Sequence, residues 1–113
     1  MKRFIPAWLP AAGLAIAALP LGAQPALHSY PDADLALGAK LIREHQCEAC
    51  HARKVGGDGS AIYRPGGRIK NPAALLTMVE MCSTELNLGL FPEDVAAVAG
   101  VLQRDRYRFP AAR

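Results

Sequence analysis

The sequence is poor in aromatic residues, in net charge and in cysteine, and each scarcity excludes a class of protein. Its 113 residues include three Phe, three Tyr and one Trp, too few for the core of a large enzyme, and the length allows at most one ordinary domain. The formal net charge of +3 is too small to indicate binding to nucleic acid or to an anionic membrane. Three cysteines allow at most one intramolecular disulfide. Only one long apolar run is present, which excludes a multi-span membrane protein.

That apolar run lies at the N-terminus and is typical of a secretory signal. Lys2 and Arg3 precede it, and the small residues Gly22 and Ala23 close it, so we predict cleavage after Ala23. The alternative is an uncleaved anchor, but a spanning helix needs about 20 apolar residues in unbroken helix. Prolines at positions 6, 10 and 20 argue against it. We therefore expect export to the periplasm, with no stable membrane insertion after cleavage.

The rest of the chain is a small domain that needs an additional source of stability. Domains of this size bury only about 60% of their unfolded surface, so they commonly depend on a disulfide, a metal, a cofactor or a partner. Turn-forming residues dominate the segment after the signal and indicate a loose lead-in. The predicted organisation is a signal peptide at 1–23, a flexible lead-in at 24–33, a globular domain at 34–109 and a tail at 110–113.

The most specific local pattern is C-x-x-C-H, formed by Cys47, Cys50 and His51. Two thiols separated by two residues can add to the two vinyl groups on one edge of a porphyrin. A histidine directly after the second cysteine can then supply the proximal imidazole to the iron. The pattern predicts one covalent haem c, attached through Cys47 and Cys50, with His51 as iron ligand.

Three other chemistries also use paired cysteines. A redox-active C-x-x-C opens a helix in a thioredoxin-like βαβ setting, and no strand-rich segment is apparent in the sequence. A zinc site could enlist Cys82 and a histidine, but no second paired ligand spacing exists. A disulfide between Cys47 and Cys50 would close a very small, strained loop. Haem attachment is therefore the favoured interpretation.

Helical periodicity and helix-start signals predict three main helices around this motif. Apolar residues recur at helical spacing from about 34 to 45. Asn71-Pro72 combines a capping side chain with a proline at the first helical position, and this second helix should run to about Ser83. Phe91-Pro92, followed by two acidic residues, starts a third helix that ends near Arg106. Residues 52–70 contain five glycines and are expected to form a loop.

With this motif and this order of helices, the chain resembles the small class I c-type cytochromes of bacterial periplasms, over about residues 34–109. The resemblance implies an all-α fold, in which three main helices and their loops wrap around one covalently bound haem. It also implies an electron-transfer protein rather than an enzyme, carrying one electron at a time between a protein donor and a protein acceptor. A haem subunit of a larger periplasmic dehydrogenase is an alternative.

The resemblance assigns further roles outside the motif. In the family the glycine-rich loop wraps one haem edge and contributes groups to the haem propionates. Arg64 and Arg68 are the candidates here, because a guanidinium matches a carboxylate in geometry. The first and last helices of the family also cross closely, an approach that Gly38 and Gly100 would permit.

The sixth iron ligand decides which chemistry a haem would perform. Some small class I cytochromes place it just ahead of a cysteine that lies ten residues before the proline opening the last helix. Cys82 and Pro92 have that interval, so the resemblance implies Met81, while Met78, Asn87, Cys82, a histidine or an open position remain alternatives. A thioether raises the reduction potential and favours electron transfer. An open or weakly held position would instead allow small gaseous ligands to bind.

Overall fold

A computed structural model describes residues 29–64 and 66–110, together with Gly13. Within these residues the regular structure is entirely helical and contains no strand, which confirms the predicted all-α class. The described elements are α1 (Leu35–Glu44), α2 (Cys47–Val55), a 3₁₀ turn (Ser60–Ile62), α3 (Pro72–Glu85), α4 (Pro92–Leu102) and a π-helical turn (Gln103–Tyr107).

Several sequence-based predictions concern residues outside the described part. These are the signal peptide at 1–23, the cleavage after Ala23, the lead-in up to position 28, and residues 111–113 of the tail. Among the residues that are described, no helix is long and apolar enough to cross a membrane.

The helix α1 forms close to where its periodicity predicts it. The Asp34 side chain accepts a hydrogen bond from the Leu37 N–H at 2.9 Å and so caps the first turn. At the other end, the His45 N–H still bonds to the Leu41 carbonyl at 3.0 Å, which makes His45 the C-cap. The predicted range of 34–45 therefore includes both caps.

The helix that carries the C-x-x-C-H motif extends further than the sequence suggested. Gln46, in a left-handed conformation with φ of 52°, separates α2 from α1. The prediction of a loop over 52–70 is wrong for its first residues, because α2 continues to Val55 with two basic residues in its last turn. Basic side chains there interact favourably with the negative end of the helix dipole. Gly56, with φ of 80°, then ends the helix.

Both remaining helices begin at their predicted start signals. The Asn71 side chain accepts a hydrogen bond from the Ala74 N–H at 2.8 Å, and α3 runs two residues beyond the predicted end at Ser83. Asp94 accepts a hydrogen bond from the Phe91 N–H at 3.0 Å and stabilises the first turn of α4. The chain thus has four α-helices among its described residues, where three were predicted, and the motif helix α2 is the additional one.

The end of α4 widens into a π-helical turn that holds the C-terminal segment. Gln103 is completely buried, and its side chain donates to the Phe109 carbonyl at 3.0 Å and accepts from the Phe109 N–H at 3.2 Å. Both polar ends of this buried amide are therefore satisfied. The regular α-helix ends at Leu102, somewhat before the predicted end near Arg106.

α4 is the centre of the core, and α1 and α3 pack against it. Most residues in the second half of α4 are buried, as expected for a helix that is covered on several sides. α2 makes its main contacts with α1 and with the 3₁₀ turn. The buried cluster consists of Tyr30, Leu41, Leu75, Val79, Val95, Val98, Ala99, Leu102 and Tyr107.

Tyr30 differs from its prediction as part of a flexible lead-in. Its side chain is only 7% exposed and belongs to the core cluster. Its hydroxyl donates a hydrogen bond to the Pro72 carbonyl at 2.5 Å. An aromatic ring that gains both burial and a hydrogen-bond partner holds its segment in place, so the chain before α1 is attached to the start of α3.

Candidate functional site

The C-x-x-C-H motif lies on a helix whose surface is open. Cys47, Cys50 and His51 occupy positions i, i+3 and i+4 of α2, so they share one face. All nine residues of α2 are described and none is fully buried. Both motif cysteines are partly exposed and unpaired. The face therefore presents two thiols and an imidazole to whatever is bound there.

The thiol at the start of α2 is not activated as a nucleophile. Burial raises the pKa of Cys47, and the neighbouring Glu48 carboxylate raises it further. Redox-active C-x-x-C pairs have the opposite property, since the cysteine at the helix N-terminus has a lowered pKa and reacts as a thiolate. The environment of Cys47 therefore does not support the thioredoxin-like alternative.

A third thiol reaches the same region from α3. The negative charges of Cys82 and Cys50 both act to raise the pKa of Cys47, and that of Cys50 acts likewise on Cys82. Burial is the largest cause of the raised pKa of Cys82. Cys82 is half-buried and unpaired. Cys82 is therefore within electrostatic range of the two motif cysteines.

The imidazole of His51 contacts the side chain of Tyr63. The Tyr63 hydroxyl lies 2.9 Å from Nδ1 of His51 and donates a hydrogen bond to Oε1 of Glu48 at 3.2 Å. The two aromatic rings meet edge to face, with centroids 5.2 Å apart at 84°. Burial, followed by the Glu48 carboxylate, raises the pKa of Tyr63 well above its ordinary value, so the hydroxyl keeps its proton.

The other nitrogen of the His51 ring stays available. Within the described part of the chain, no hydrogen bond involves Nε2 of His51. Burial lowers the pKa of His51 and outweighs the Glu48 carboxylate, which raises it; the positive charge of Lys54 adds a smaller lowering effect. A neutral imidazole with one ring nitrogen hydrogen-bonded and the other free is the form in which histidine binds a metal.

The loop that contains Gly59 and leads to Tyr63 packs closely against the backbone of α2. Gly59 has φ of 83°, and a Cβ built there would lie 2.6 Å from the Glu48 carbonyl oxygen and 3.0 Å from Cβ of His51. No side chain fits in that space, and glycine adopts this backbone conformation without steric cost. The 3₁₀ turn that follows Gly59 then leads directly to Tyr63.

The two arginines predicted to contact haem propionates lie exposed in the loop. Arg64 donates from Nε to the Ala61 carbonyl at 3.1 Å, and Arg68 is exposed. A third arginine, Arg106, lies with its guanidinium carbon 5.4 Å from the centre of the Tyr63 ring. Propionate contacts by Arg64 and Arg68 stay predictions.

The two methionines of α3 differ in exposure, although they lie only about 60° apart around the helix. Met81 is 49% exposed and lines a surface groove with Thr77, Glu80, Thr84 and Glu85. At 3.6 residues per turn it lies about 160° around the helix from the buried Val79. Met78 is half-buried and lies about 40° around the helix from Cys82. Met78 is thus closer than Met81 to Cys82 around the helix, and Met81 as the sixth iron ligand stays a prediction.

Asn87, another candidate for the sixth position, ends α3. It is exposed and has a left-handed conformation with φ of 52°. Its N–H bonds to the Thr84 carbonyl at 3.1 Å, and the Leu88 N–H bonds to the Ser83 carbonyl at 2.9 Å. This pair of hydrogen bonds is the Schellman arrangement, in which asparagine is a common substitute for glycine. The backbone conformation therefore already explains an asparagine at this position.

Three residues of the site were missed by sequence reasoning. Glu48, Tyr63 and Gly59 surround His51, although only Glu48 lies within the motif. Tyr63 carries a weak signal, because it is the only aromatic residue between the motif and α3. Nothing in the local sequence indicates that its hydroxyl reaches a histidine twelve residues earlier.

The residues present fit a covalently attached haem. Two accessible thiols at i and i+3 and an imidazole at i+4 are the groups that c-type attachment uses. Among the described residues, no group of three or more histidine, cysteine, aspartate or glutamate side chains is arranged to hold a metal ion. Comparisons with protein families, with curated proteins and with solved structures found no match to this chain.

Proposed function

We propose that this chain is a monohaem c-type cytochrome that carries single electrons between a protein donor and a protein acceptor in the periplasm. One observation carries the proposal: two unpaired thiols and the free Nε2 of a neutral histidine share one face of α2. Cys47 and Cys50 would hold the porphyrin as thioethers, and His51 would supply the proximal nitrogen. Haem bound there supplies an iron centre that takes up and releases one electron at a time.

The protein contributes attachment, orientation and shielding. α2 carries the attachment residues, and the loop at Gly59 packs against the backbone of that helix. α3, which carries Cys82, Met78 and Met81, would supply a further side. A methionine sulfur at the sixth position would raise the potential and exclude small ligands. Met81, the candidate from the sequence, and Met78 are the two methionines among the described residues.

The placement of Met81 favours a second candidate function. Met81 is 49% exposed in a surface groove and Asn87 is exposed at a helix end, so neither side chain is fixed by burial. A haem protein with a weakly held sixth position would bind small gaseous ligands. Carbon monoxide distinguishes the two functions, since a firmly bound sulfur prevents its binding to the ferrous form.

Attachment is tested by expressing the chain with a c-type haem maturation system. We expect the wild type to retain haem after denaturation in acid or detergent, seen as a mass increase of one haem. The double variant Cys47→Ser/Cys50→Ser should lose all covalent haem. Cys82→Ser is the matched control, because it removes the third thiol of the same cluster and should keep full attachment. A wild type without covalent haem would refute the proposal.

Function is tested on the haem-loaded wild type. An electron carrier should show a reversible one-electron couple, a far-red sulfur-to-iron band when oxidised, and no spectral change with carbon monoxide. A high-spin spectrum that shifts with carbon monoxide would establish the second candidate instead. Purification from the native periplasm also distinguishes a free carrier from a dehydrogenase subunit, because the subunit would elute with a stable partner.

A further inference from the structure

The hydroxyl of Tyr63 stands between a carboxylate and a histidine ring nitrogen. It lies 3.2 Å from Oε1 of Glu48 and 2.9 Å from Nδ1 of His51. A phenol has one proton to donate and can also accept a hydrogen bond. A carboxylate only accepts, so the phenol proton is directed to Glu48.

This assignment determines where the proton of the neutral imidazole lies. Since the single Tyr63 proton is used toward Glu48, the 2.9 Å contact with His51 requires Nδ1 to be the donor and the phenol oxygen the acceptor. The Nδ1 nitrogen therefore carries hydrogen, and Nε2 keeps its lone pair. The chain from His51 through Tyr63 ends on a negative charge, which polarises both hydrogen bonds in the same direction.

We propose that Tyr63, oriented by Glu48, is a positioning residue that selects the Nδ1–H tautomer of His51 and makes its Nε2 a stronger electron donor. The inference rests on the proposed function, in which Nε2 is the proximal iron ligand. A second hydrogen bond on a ligating histidine fixes the ring and raises its basicity. A more basic ligand stabilises ferric over ferrous iron. Tyr63 and Glu48 together therefore lower the reduction potential of the haem iron.

The surroundings of Tyr63 restrict its motion. Its ring meets the His51 ring edge to face, and the Tyr107 ring lies 6.1 Å away at 78° on another side. The Arg106 guanidinium also lies over the ring, 5.4 Å from its centre. Four residues before Tyr63, the backbone at Gly59 packs against α2. A tyrosine enclosed in this way keeps its hydroxyl at a defined place relative to Nδ1.

The test uses the haem-loaded chain and the variant Tyr63→Phe, which deletes the hydroxyl and keeps the ring. We expect its reduction equilibrium to shift toward the ferrous form by about threefold to tenfold, tenfold being about 59 mV for a one-electron couple. The Nδ1 proton of His51, observed by NMR, should exchange with solvent about tenfold faster. Tyr107→Phe is the matched control, since it removes a hydroxyl from the next ring, and it should change neither quantity.

A second variant keeps the inference testable if Tyr63→Phe folds poorly. Glu48→Gln retains an oxygen that can accept from Tyr63 but loses the negative charge, so its potential should rise by less than that of Tyr63→Phe. Covalent haem together with unchanged potential and proton exchange in both variants would overturn this inference and leave the proposed function intact. Absence of covalent haem in the wild type would overturn both.

Discussion

Gly38 of α1 packs directly on the backbone carbonyl of Ala97 in α4. A Cβ built at position 38 would lie 2.1 Å from the Ala97 oxygen and 2.8 Å from Cγ2 of Val101. The obstacle is mainly backbone, which cannot rotate away as a side chain can. The missing side chain of Gly38 therefore sets how closely these two helices cross.

Gly38→Ala should destabilise the protein by about 1–3 kcal/mol, the usual effect of overpacking a core. In an unconstrained helix the same change is stabilising by about 1 kcal/mol, so the sign of the effect identifies the helix crossing as its cause. Chemical denaturation followed by circular dichroism measures it. Gly100→Ala should have a smaller effect, because its Cβ would meet only the side chains of Ala33 and Leu35. A stabilised Gly38→Ala variant would contradict the crossing.

Gly59→Ala should reduce both stability and the yield of covalent haem. The new methyl group would clash with the backbone of α2 next to His51. In addition, an alanine in the left-handed conformation of position 59 is strained by about 1–2 kcal/mol. Gly57→Ala is the matched control, because it has φ of 58° and no atom within 4 Å of the added Cβ. Gly57→Ala should therefore be destabilised by the left-handed backbone strain alone and should keep its yield of covalent haem. Equal haem yields in the two variants would argue against a supporting role for the Gly59 contact.

The methionines of α3 can be separated by single substitutions in the haem-loaded protein. Because Met78 shares the side of Cys82 and Met81 lies in an outward groove, Met78→Leu should change the oxidised visible spectrum more than Met81→Leu. Carbon monoxide binding should increase in the same variant. The reverse ranking would support Met81, the ligand implied by the sequence. No effect from either would indicate a sixth position without sulfur.

Tyr30→Phe should lower the free energy of unfolding at neutral pH. The variant should also lose less of its stability than the wild type as the pH rises above about 10. The variant loses the hydrogen bond to the Pro72 carbonyl, which is worth about 1 kcal/mol. Burial raises the pKa of Tyr30 to about 12, above the value of about 10 in an unfolded chain. Its contribution is therefore fully present below about pH 10 and is lost as the pH rises toward 12.

Denaturation curves of both proteins from pH 7 to 12 measure this difference. The free energy of unfolding of the wild type should fall more steeply above pH 10 than that of Tyr30→Phe. Some decline should remain in the variant, because burial also raises the pKa of Tyr63 and of Tyr107. Parallel curves would show that Tyr30 does not contribute.

The sequence by itself determined the helical class, most helix boundaries and the spacing of the three motif side chains. These are local properties: Asn71-Pro72 is a helix-start signal that depends on neighbouring residues only, and the C-x-x-C-H spacing places three side chains on one face of a helix. The end of α2 was missed because the glycine-rich composition of 52–70 concealed one further helical turn. Tyr30 was missed because local turn formers carry no information about a distant partner.

Only the tertiary structure decided what surrounds the motif. Gly59 packs against the backbone of α2, and the Tyr63 hydroxyl contacts the His51 ring. Each contact joins residues from different elements. The packing of α3 on α4 likewise decides that Met78 is half-buried and Met81 is exposed. Spacing along the chain specifies which groups can bind, whereas packing specifies which groups meet and how their protons and charges are arranged.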